Sequence, residues 1–433
     1  MFSNQGLAAG TATSVAIETC QVCESPDLQS VLFMGYLPPV NQMRRVGERP
    51  CEQPAYPAEW LYCPKCQLVQ LGLLVDPQVL FPPEYPYTSG TTSLLRENFA
   101  EMYTETQTII SLLPSDLIVD IGSNDGTLLA NFKDGGHRVR GIEPSQVGNL
   151  ANQRGIPTHI SFFGKDIASK ILKEDGPAKI IAATNVFAHM QNIHAVVEDI
   201  LRLLDDKGLF ISESHYLLGL IETLQYDTIY HEHLRYYSLT SLQYLLNMHG
   251  LEVIHARRIP THGGSLRVYA ARAGSRPPLP SVAEILAQER RAGVDLRRLR
   301  EFQRRVVLSK LHMHSMLADI CGRGEKIYGI GAPSRASTLI NYAGLDNGIL
   351  ECVVEVKGSL KIGKYMPGTL IPVVEESRLY EDPPEYALLL SWHIADELIP
   401  RLSQKGFRGE YIIPLPESRI ATACTPASAM VHA

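Results

Sequence analysis

The chain has 433 residues, of which 45% are hydrophobic and 20% are charged, and its formal net charge is −6. This length predicts two or three domains, and the mildly negative charge does not favour nucleic-acid binding. The apolar stretches are too short to span a bilayer and the N-terminus lacks a signal-peptide pattern, so we expect a cytoplasmic protein with no membrane partner.

The first recognisable element is a pair of matched cysteine motifs, "CQVCES" and "CPKCQLVQLG". They contain Cys20-x-x-Cys23 and Cys63-x-x-Cys66. In a reducing compartment, a two-residue spacing directs both thiolates of a tight turn at one tetrahedral ion. The sequence therefore predicts a structural zinc ion with four cysteine ligands, in a small β unit over residues 1–80. Free buried cysteines are the alternative, but they do not explain two matched motifs.

The next region, residues 81–275, is predicted to be a doubly wound α/β domain. A loop, "FPPEYPYTSGTTSLLRENF", leads into a helix whose apolar residues Leu95, Phe99 and Met102 recur at helical spacing. From Asp116 onward, strands and helices alternate. The predicted strands are "LIVDIGS", "RVRGIEPS", "KIIAATNVFAHM" and "GLFISESHY".

The turn "DIGSNDGTLL" ends one of these strands and begins a helix. Asn124 stands where the dinucleotide pattern needs a second glycine, and the acidic Asp120 suits an amino group better than a pyrophosphate. Glu143 ends the following strand, where it can accept both ribose hydroxyls. This pattern indicates an S-adenosylmethionine site, although His189 could equally be an ordinary hydrogen-bonded histidine. The predicted cofactor residues are Asp120, Gly122, Asn124, Gly126, Glu143, Asn185 and His189.

Proline-rich "GSRPPLPS" marks a boundary, followed by a helical connection over residues 276–320. Its many arginines indicate a solvated face or a seam against another domain. Residues 321–418 repeat the strand–helix alternation and predict a second, Rossmann-like α/β domain, and residues 419–433 read as an unstructured tail. In "GIGAPSRASTL", Ser334 and Arg335 suit a diphosphate. We find no acidic partner at the usual place one strand later, so a purely structural turn is the alternative.

A crowded run, "YDTIYHEHLRYYS", spans residues 226–238 and contains four tyrosines and two histidines. Groups that exchange protons are costly to bury without partners, so their clustering indicates chemistry.

These pieces, in this order, resemble the sugar C-methyltransferases of deoxysugar biosynthesis. The resemblance covers nearly the whole chain except the tail. It implies an S-adenosylmethionine-dependent enzyme acting on a dTDP- or GDP-linked keto sugar, with zinc-binding, methyltransferase and C-terminal Rossmann-like domains. The matching stretches are "CQVC", "CPKC", "YPYTSGTT", "DIGSNDGTLL", "GIEPS", "NVFAHM", "YHEHLRYYSL", "HGGSLRVY", "YGIGAPSRASTLINY" and "KYMPGTLIPV".

The resemblance also implies catalytic residues in the "YHEH" run and in the tyrosine-rich loop across the cleft. His233 is the leading base, Glu232 supports it or shares the role, and His231 stays a possible base. Tyr230 and Tyr87 are expected at the substrate oxygen. Near the substrate we expect Tyr85 and the "HGGS" segment, although the latter could be a plain tight turn. The candidate substrate residues are Tyr85, His262, Gly263, Gly264, Ser334 and Arg335.

The reaction expected from the resemblance is methyl transfer to the carbon beside the ketone, at C3 of a 4-keto-6-deoxy sugar, through an enolate. Methylation at C5 of a related keto sugar is a close alternative. A scaffold that binds zinc and cofactor without turnover, and a nicotinamide-dependent reductase, are alternatives of other classes. The intact acidic and glycine positions disfavour the scaffold, and the missing dinucleotide fingerprint disfavours the reductase.

Overall fold

The computed structural model describes residues 14–81, 89–91 and 93–422. Tyr85 and Tyr87 therefore lie outside the described residues. Within the described part, the strands form sheets of four, seven and six strands and a two-stranded ribbon. None of the helices there combines the length and apolar character that a membrane crossing requires.

The N-terminal unit is built on a four-stranded antiparallel sheet with the order β11-β4-β3-β2. Buried and half-buried residues alternate along β3, as expected for a sheet with one face on a core. The edge strand β11 comes from the run 226–238, which follows β4 by more than 150 residues in the sequence. The elements are β1 (Val15–Ala16), β2 (Gln29–Leu37), β3 (Tyr56–Tyr62), β4 (Val69–Leu71), β5 (Leu73–Leu74), α1 (Pro77–Leu80) and β11 (Arg235–Tyr236).

The central domain has the predicted doubly wound form, with the strand order β12-β13-β10-β9-β6-β7-β8. Only β13 runs antiparallel to its neighbours β10 and β12. The strands are β6 (Leu117–Ile121), β7 (Arg138–Ile142), β8 (Thr158–His159), β9 (Ala178–Thr184), β10 (Leu204–His215), β12 (Leu251–Ile259) and β13 (Ser265–Arg272). The helices are α2 (Ser93–Ile109), α3 (Thr127–Asp134), α4 (Gly148–Gln153), α5 (Lys165–Asp175), α6 (Ile193–Leu203), α7 (Leu217–Glu222) and α8 (Leu239–Met248).

Two helices, α9 (Pro280–Ala292) and α10 (Leu296–Gly322), form the connection to the last domain. Asp295 caps α10 by accepting a bond from the backbone N–H of Arg298 at 2.9 Å. The apolar side of α10 is buried, and its Phe302 stacks on Trp60 of the N-terminal sheet with ring centroids 5.5 Å apart. The connection therefore joins the N-terminal unit to the rest of the molecule.

The C-terminal domain is a Rossmann-like sheet with the order β16-β15-β14-β17-β18-β19, of which only β19 is antiparallel. The predicted unstructured tail therefore begins too early, because residues 419–421 pair with β18. The strands are β14 (Ile327–Ile330), β15 (Cys352–Glu355), β16 (Val373–Glu375), β17 (Tyr386–Leu389), β18 (Glu410–Ile413) and β19 (Arg419–Ala421). The helices are α11 (Ser334–Ala343), α12 (Arg378–Glu381) and α13 (Ala395–Gln404).

Backbone contacts join the N-terminal unit to the C-terminal domain. The N–H of Val46 donates to the carbonyl of Gly363, and the N–H of Tyr365 donates to the carbonyl of Arg44, both at 2.8 Å. The run 226–238 of the central domain contacts both of the other domains. Its Arg235 and Tyr236 pair with β4, and its Asp227 accepts from Arg335 of the C-terminal domain.

Candidate active site

The four cysteines predicted to bind metal lie together, with their sulfur atoms within 4.8 Å of one another. The Sγ atoms of Cys20 and Cys66 are 3.4 Å apart, and those of Cys23 and Cys63 are also 3.4 Å apart. Four thiolates about 2.3 Å from one tetrahedral zinc ion would have sulfurs about 3.8 Å apart, so the cluster fits zinc with little adjustment. It is the only group of three or more such ligands this close among the described residues.

The two cysteine motifs also share one backbone geometry. The residue after each pair, Glu24 or Gln67, has φ near +58° and donates its N–H to the carbonyl of the first cysteine. Both pairs are therefore tight turns of one kind, consistent with a closed structural metal site.

The predicted cofactor residues gather where β6, β7 and β9 end. Asp120 is 1% exposed, and among residues 14–81, 89–91 and 93–422 its Oδ1 has no hydrogen-bond partner. Within the same residues, Oδ1 of Asn185 and the Ser123 hydroxyl also lack one. Unpartnered buried polar atoms are costly, so three of them at one sheet edge indicate a missing polar ligand. Gly122 has φ +72°, and a Cβ there would lie 2.9 Å from Val186, so a side chain would crowd this edge.

Glu143 is fixed beside this edge. Its Oε2 accepts from the N–H of Asn124 at 3.1 Å, and its Oε1 accepts from the N–H of Ser145 at 2.9 Å. Burial, together with the charge of Glu143, raises the pKa of Asp120 well above its usual value. Gly126, with φ +80°, stands immediately before α3. Two acidic side chains, Asp120 and Glu143, therefore lie at the carboxyl ends of the neighbouring strands β6 and β7.

His233 lies at the centre of an aromatic and imidazole cluster. Its Nδ1 is 2.7 Å from the carbonyl of Thr228, and its ring centroid is 4.1 Å from that of Tyr230. The rings of His189 and His215 lie 4.9 Å and 4.7 Å away. His189 follows Asn185 in one loop, so the cluster lies next to the carboxyl ends of β6, β7 and β9. These strand ends, which hold the predicted cofactor residues, form the cofactor edge. Burial lowers the pKa of His233 to about 4.

His262 and the double glycine of "HGGS" close one side of this cluster. His262, Gly263 and Gly264 all have positive φ, at 56°, 85° and 126°. The ring of His262 is 5.6 Å from that of His215. A Cβ on Gly263 would lie 2.6 Å from the side chain of Gln225, so the glycine permits a close approach.

His231 points away from this cluster. Its Nε2 lies 3.2 Å from the carbonyl of Pro57 and its ring packs edge-on against Tyr56, at the start of β3. Burial lowers its pKa to about 4. Its contacts are therefore with the N-terminal sheet.

Glu232 belongs to a chain of hydrogen bonds that crosses all three domains. The amide of Asn41 donates to Glu232 Oε1 at 2.7 Å, and the hydroxyl of Ser334 donates to Asn41 Oδ1 at 3.2 Å. Lys361 is also buried and donates to the carbonyl of Ala332 at 2.6 Å. Glu232 thus lies near the glycine turn of the C-terminal domain.

Arg335 forms a buried ion pair with Asp227, near the start of the run 226–238. Its Nε and Nη2 donate to the two carboxylate oxygens, both at 2.8 Å. Arg335 also donates to Gln225 Oε1 at 3.0 Å, and the indole of Trp392 donates to Asp227 at 2.8 Å. We predicted that the Arg335 guanidinium would face a diphosphate, whereas it binds the carboxylate of Asp227.

The turn after β14 has an acidic partner at the end of the next strand, where the sequence pattern predicted none. Glu355, at the end of β15, accepts from the N–H of Ala332 at 2.7 Å. β15 pairs with β14 in the sheet, so Glu355 lies at the end of the strand adjacent to the turn, as Glu143 does in the central domain.

Three residues of the site were missed from the sequence: Asn41, His215 and Asp227. His215 had a signal, because polar residues from Ser212 onward interrupt the apolar pattern at the carboxyl end of β10. Asn41 lies in an irregular proline-rich loop. Asp227 was quoted but given no role, because its partner is 108 residues away.

Comparisons with known proteins agree with this architecture. A family described as a C-methyltransferase C-terminal domain matches residues 260–416, and a methyltransferase domain matches residues 95–256. A zinc-binding domain matches residues 20–81, which include all four cysteines. The cysteine cluster is thus a zinc site, and the central domain is a methyltransferase domain.

The C-methyltransferase NovU from Streptomyces niveus is 32% identical to this chain over 413 residues, covering 94% of the chain and 97% of NovU. Among solved structures, magnesium protoporphyrin IX methyltransferase from Synechocystis is 13% identical, covers 41% of this chain and 78% of its own, and has a TM-score of 0.30. The plantazolicin methyltransferase BpumL is 16% identical, covers 42% and 86%, and has a TM-score of 0.34. From its relation to NovU, the chain belongs to the family of S-adenosylmethionine-dependent sugar C-methyltransferases.

Proposed function

We propose that this enzyme methylates C3 of a nucleotide-linked 4-keto-6-deoxy sugar through an enolate, with His233 as the base. The observation that carries the proposal is the fixed, buried imidazole of His233 beside Tyr230 and next to the cofactor edge. Methylation at C5 is the closest alternative, because the ketone acidifies both neighbouring carbons.

The hydrogen bond to Thr228 supports the role of His233. A carbonyl oxygen can only accept, so Nδ1 carries the proton and Nε2 keeps the basic lone pair. Burial lowers the pKa of His233 to about 4, so the imidazole is unprotonated near neutral pH, although the same burial makes it a weaker base. General-base catalysis of this kind contributes roughly 100- to 10,000-fold.

The remaining groups would hold the substrate while the proton leaves. We propose that the Tyr230 hydroxyl donates to the enolate oxygen, together with Tyr87 or Tyr85 from the loop across the cleft. Glu232 would support the base or share its role. When bound, S-adenosylmethionine supplies an electrophilic methyl group, with Asp120, Glu143 and their neighbours holding its polar groups.

The nucleotide diphosphate is proposed to bind at the glycine turn of the C-terminal domain. Open parallel sheets bind ligands beyond the carboxyl ends of strands where the strand order reverses, here between β14 and β17. Ser334 begins α11 there, and Lys361 supplies a nearby positive charge. Because Arg335 is paired with Asp227, we assign its role to holding the "HGGS" turn near the sugar.

The test of the proposed function is turnover with a panel of dTDP- and GDP-linked 4-keto-6-deoxy sugars and S-adenosylmethionine. We expect a product heavier by one methyl group. In deuterated water, with S-adenosylhomocysteine replacing the methyl donor, deuterium should enter at C3. Deuterium at C5 alone would indicate the alternative carbon, and the absence of both exchange and turnover would support a scaffold.

The two histidines of the run give a matched pair of variants. His233→Asn should abolish exchange at C3 while leaving cofactor affinity nearly unchanged, because the cofactor edge is formed by other strands. His231→Asn should retain exchange, since its ring contacts Pro57 and Tyr56. Exchange that survives in His233→Asn and is lost in His231→Asn would place the base at His231.

A further inference from the structure

Arg235 is a buried cation two residues after His233. Its side chain donates to three neutral oxygens, namely Gln21 Oε1, the hydroxyl of Tyr237 and the carbonyl of Met190. The residue is 2% exposed, and it forms no ion pair with any carboxylate of residues 14–81, 89–91 and 93–422. A buried charge without a counter-charge is expensive, so a source of negative charge is needed nearby.

The first cysteine motif of the zinc site contacts Arg235 through Gln21. Gln21 lies inside the first cysteine motif, directly after Cys20, and its N–H donates to Gln70 Oε1 at 2.9 Å. Gln70 lies opposite Arg235 in the β4–β11 pair. One divalent zinc ion with four thiolates has a net charge of −2, and Gln21, which accepts from Arg235, directly follows the ligand Cys20.

Arg235 also contacts the segment that contains His189, one of the imidazoles next to His233. Met190, whose carbonyl Arg235 binds, directly follows His189. The N–H of Leu234 donates to the carbonyl of Ala188 at 3.0 Å, so the two segments are also joined through the backbone. The rings of His189 and His233 lie 4.9 Å apart across this junction.

We propose that Arg235 is a positioning residue through which the zinc-bound motif holds His189 and His233 in place for proton transfer. The inference rests on the proposed role of His233 as the base. The zinc ion would then do more than stabilise the N-terminal unit. It would fix Gln21, and Gln21 would fix Arg235, which contacts the backbone next to His189.

Gln21 variants test this link without touching a metal ligand or a catalytic residue. Gln21→Ala should lower kcat by about 10- to 100-fold, the usual effect of losing an outer partner of a site, with the KM for S-adenosylmethionine and the zinc content unchanged. Gln21→Glu should restore kcat, because a carboxylate accepts from Arg235 at least as well. An unchanged kcat in Gln21→Ala, or an equal loss in Gln21→Glu, would overturn the proposal.

Nuclear magnetic resonance of isotope-labelled histidine side chains tests the link without turnover. Signals of His189 and His233 are assigned by their loss in His189→Gln and His233→Gln. In zinc-loaded Gln21→Ala these two signals should shift or broaden, while those of the distant His194–His249 pair stay in place. Unchanged His189 and His233 signals would refute the link even in an active enzyme. Failure of the wild type to turn over any keto sugar would instead refute the proposed function.

Discussion

The buried Asp227–Arg335 ion pair makes contacts that hold several separate segments of the chain together. Asp227 is fully buried and accepts from both Arg335 and Trp392, and Arg335 stacks over the Trp392 ring at 5.0 Å from its centroid. Arg335 also donates to the carbonyl of His262 at 3.3 Å. Two segments of the methyltransferase domain therefore depend on one arginine of the C-terminal domain. A buried pair of this kind contributes little net energy when intact but is costly to break.

Asp227→Asn should therefore destabilise the protein strongly. Removing the carboxylate leaves the Arg335 charge buried without its counter-ion, for an expected loss of about 3–5 kcal/mol. Thermal and urea unfolding of the variant would measure this loss. Glu301→Gln is the matched control, because the Arg298–Glu301 pair is exposed and should contribute about 1 kcal/mol or less. Similar losses in both variants would contradict the role given to the buried pair.

The two strand–turn–helix units of the molecule share one hydrogen-bond arrangement. In each, an acid at the end of the second strand accepts from an amide of the turn after the first, Glu143 from Asn124 and Glu355 from Ala332. The second oxygen of each carboxylate is also held by a backbone N–H. Both turns are therefore organised before a ligand arrives, which reduces the ordering cost of binding.

Gly122→Ala should weaken cofactor binding as well as stability. The added Cβ has an unfavourable positive φ and would lie 2.9 Å from Val186. Gly136→Ala is a control for strain alone, since it has φ +87° but no atom within 4 Å of the added Cβ. Titration calorimetry with S-adenosylmethionine should show reduced affinity only for Gly122→Ala. Equal affinities in the two variants would mean that this turn does not approach the cofactor closely.

The elements differ in how far the sequence predicts them. β6 and β14 were predicted, because a buried parallel strand is a continuous apolar run ending in a glycine turn. The two-residue strand β11 could not be predicted, because it forms only by pairing with β4, which lies far away in the sequence. The same holds for the orientation of His231 and the partner of Arg335: local patterns identify the residue types, whereas tertiary contacts decide their direction.

Across the whole molecule, the domains meet around buried imidazoles. His231, His233 and His262 each have a pKa lowered to about 4, with burial as the main cause. His231 faces the N-terminal sheet, and His262 contacts Arg335 of the C-terminal domain. Protonation of these rings would place positive charge in the junctions between domains.

Stability should consequently fall as the solution is acidified. Above the unfolded pKa of about 6.5 the rings are neutral in both states, and the stabilising effect is fully present. As the pH falls from there toward the folded value, the unfolded chain binds more protons, at a cost of up to about 1.4 kcal/mol per pH unit for each histidine. Thermal unfolding followed between neutral and acidic pH would measure this slope. His231→Gln should make it shallower, and an unchanged slope would exclude His231 as a contributor.

The buried Asp227–Arg335 pair also limits how enzymes of this family can be recombined. A chimera that takes its methyltransferase domain from this chain and its C-terminal domain from a relative needs an arginine at the position of Arg335, and an indole at the position of Trp392. Without them, Asp227 would be a buried carboxylate facing a foreign surface. Exchanges of the C-terminal domain should therefore transfer the "YDTIYHEH" run and its partners as one unit.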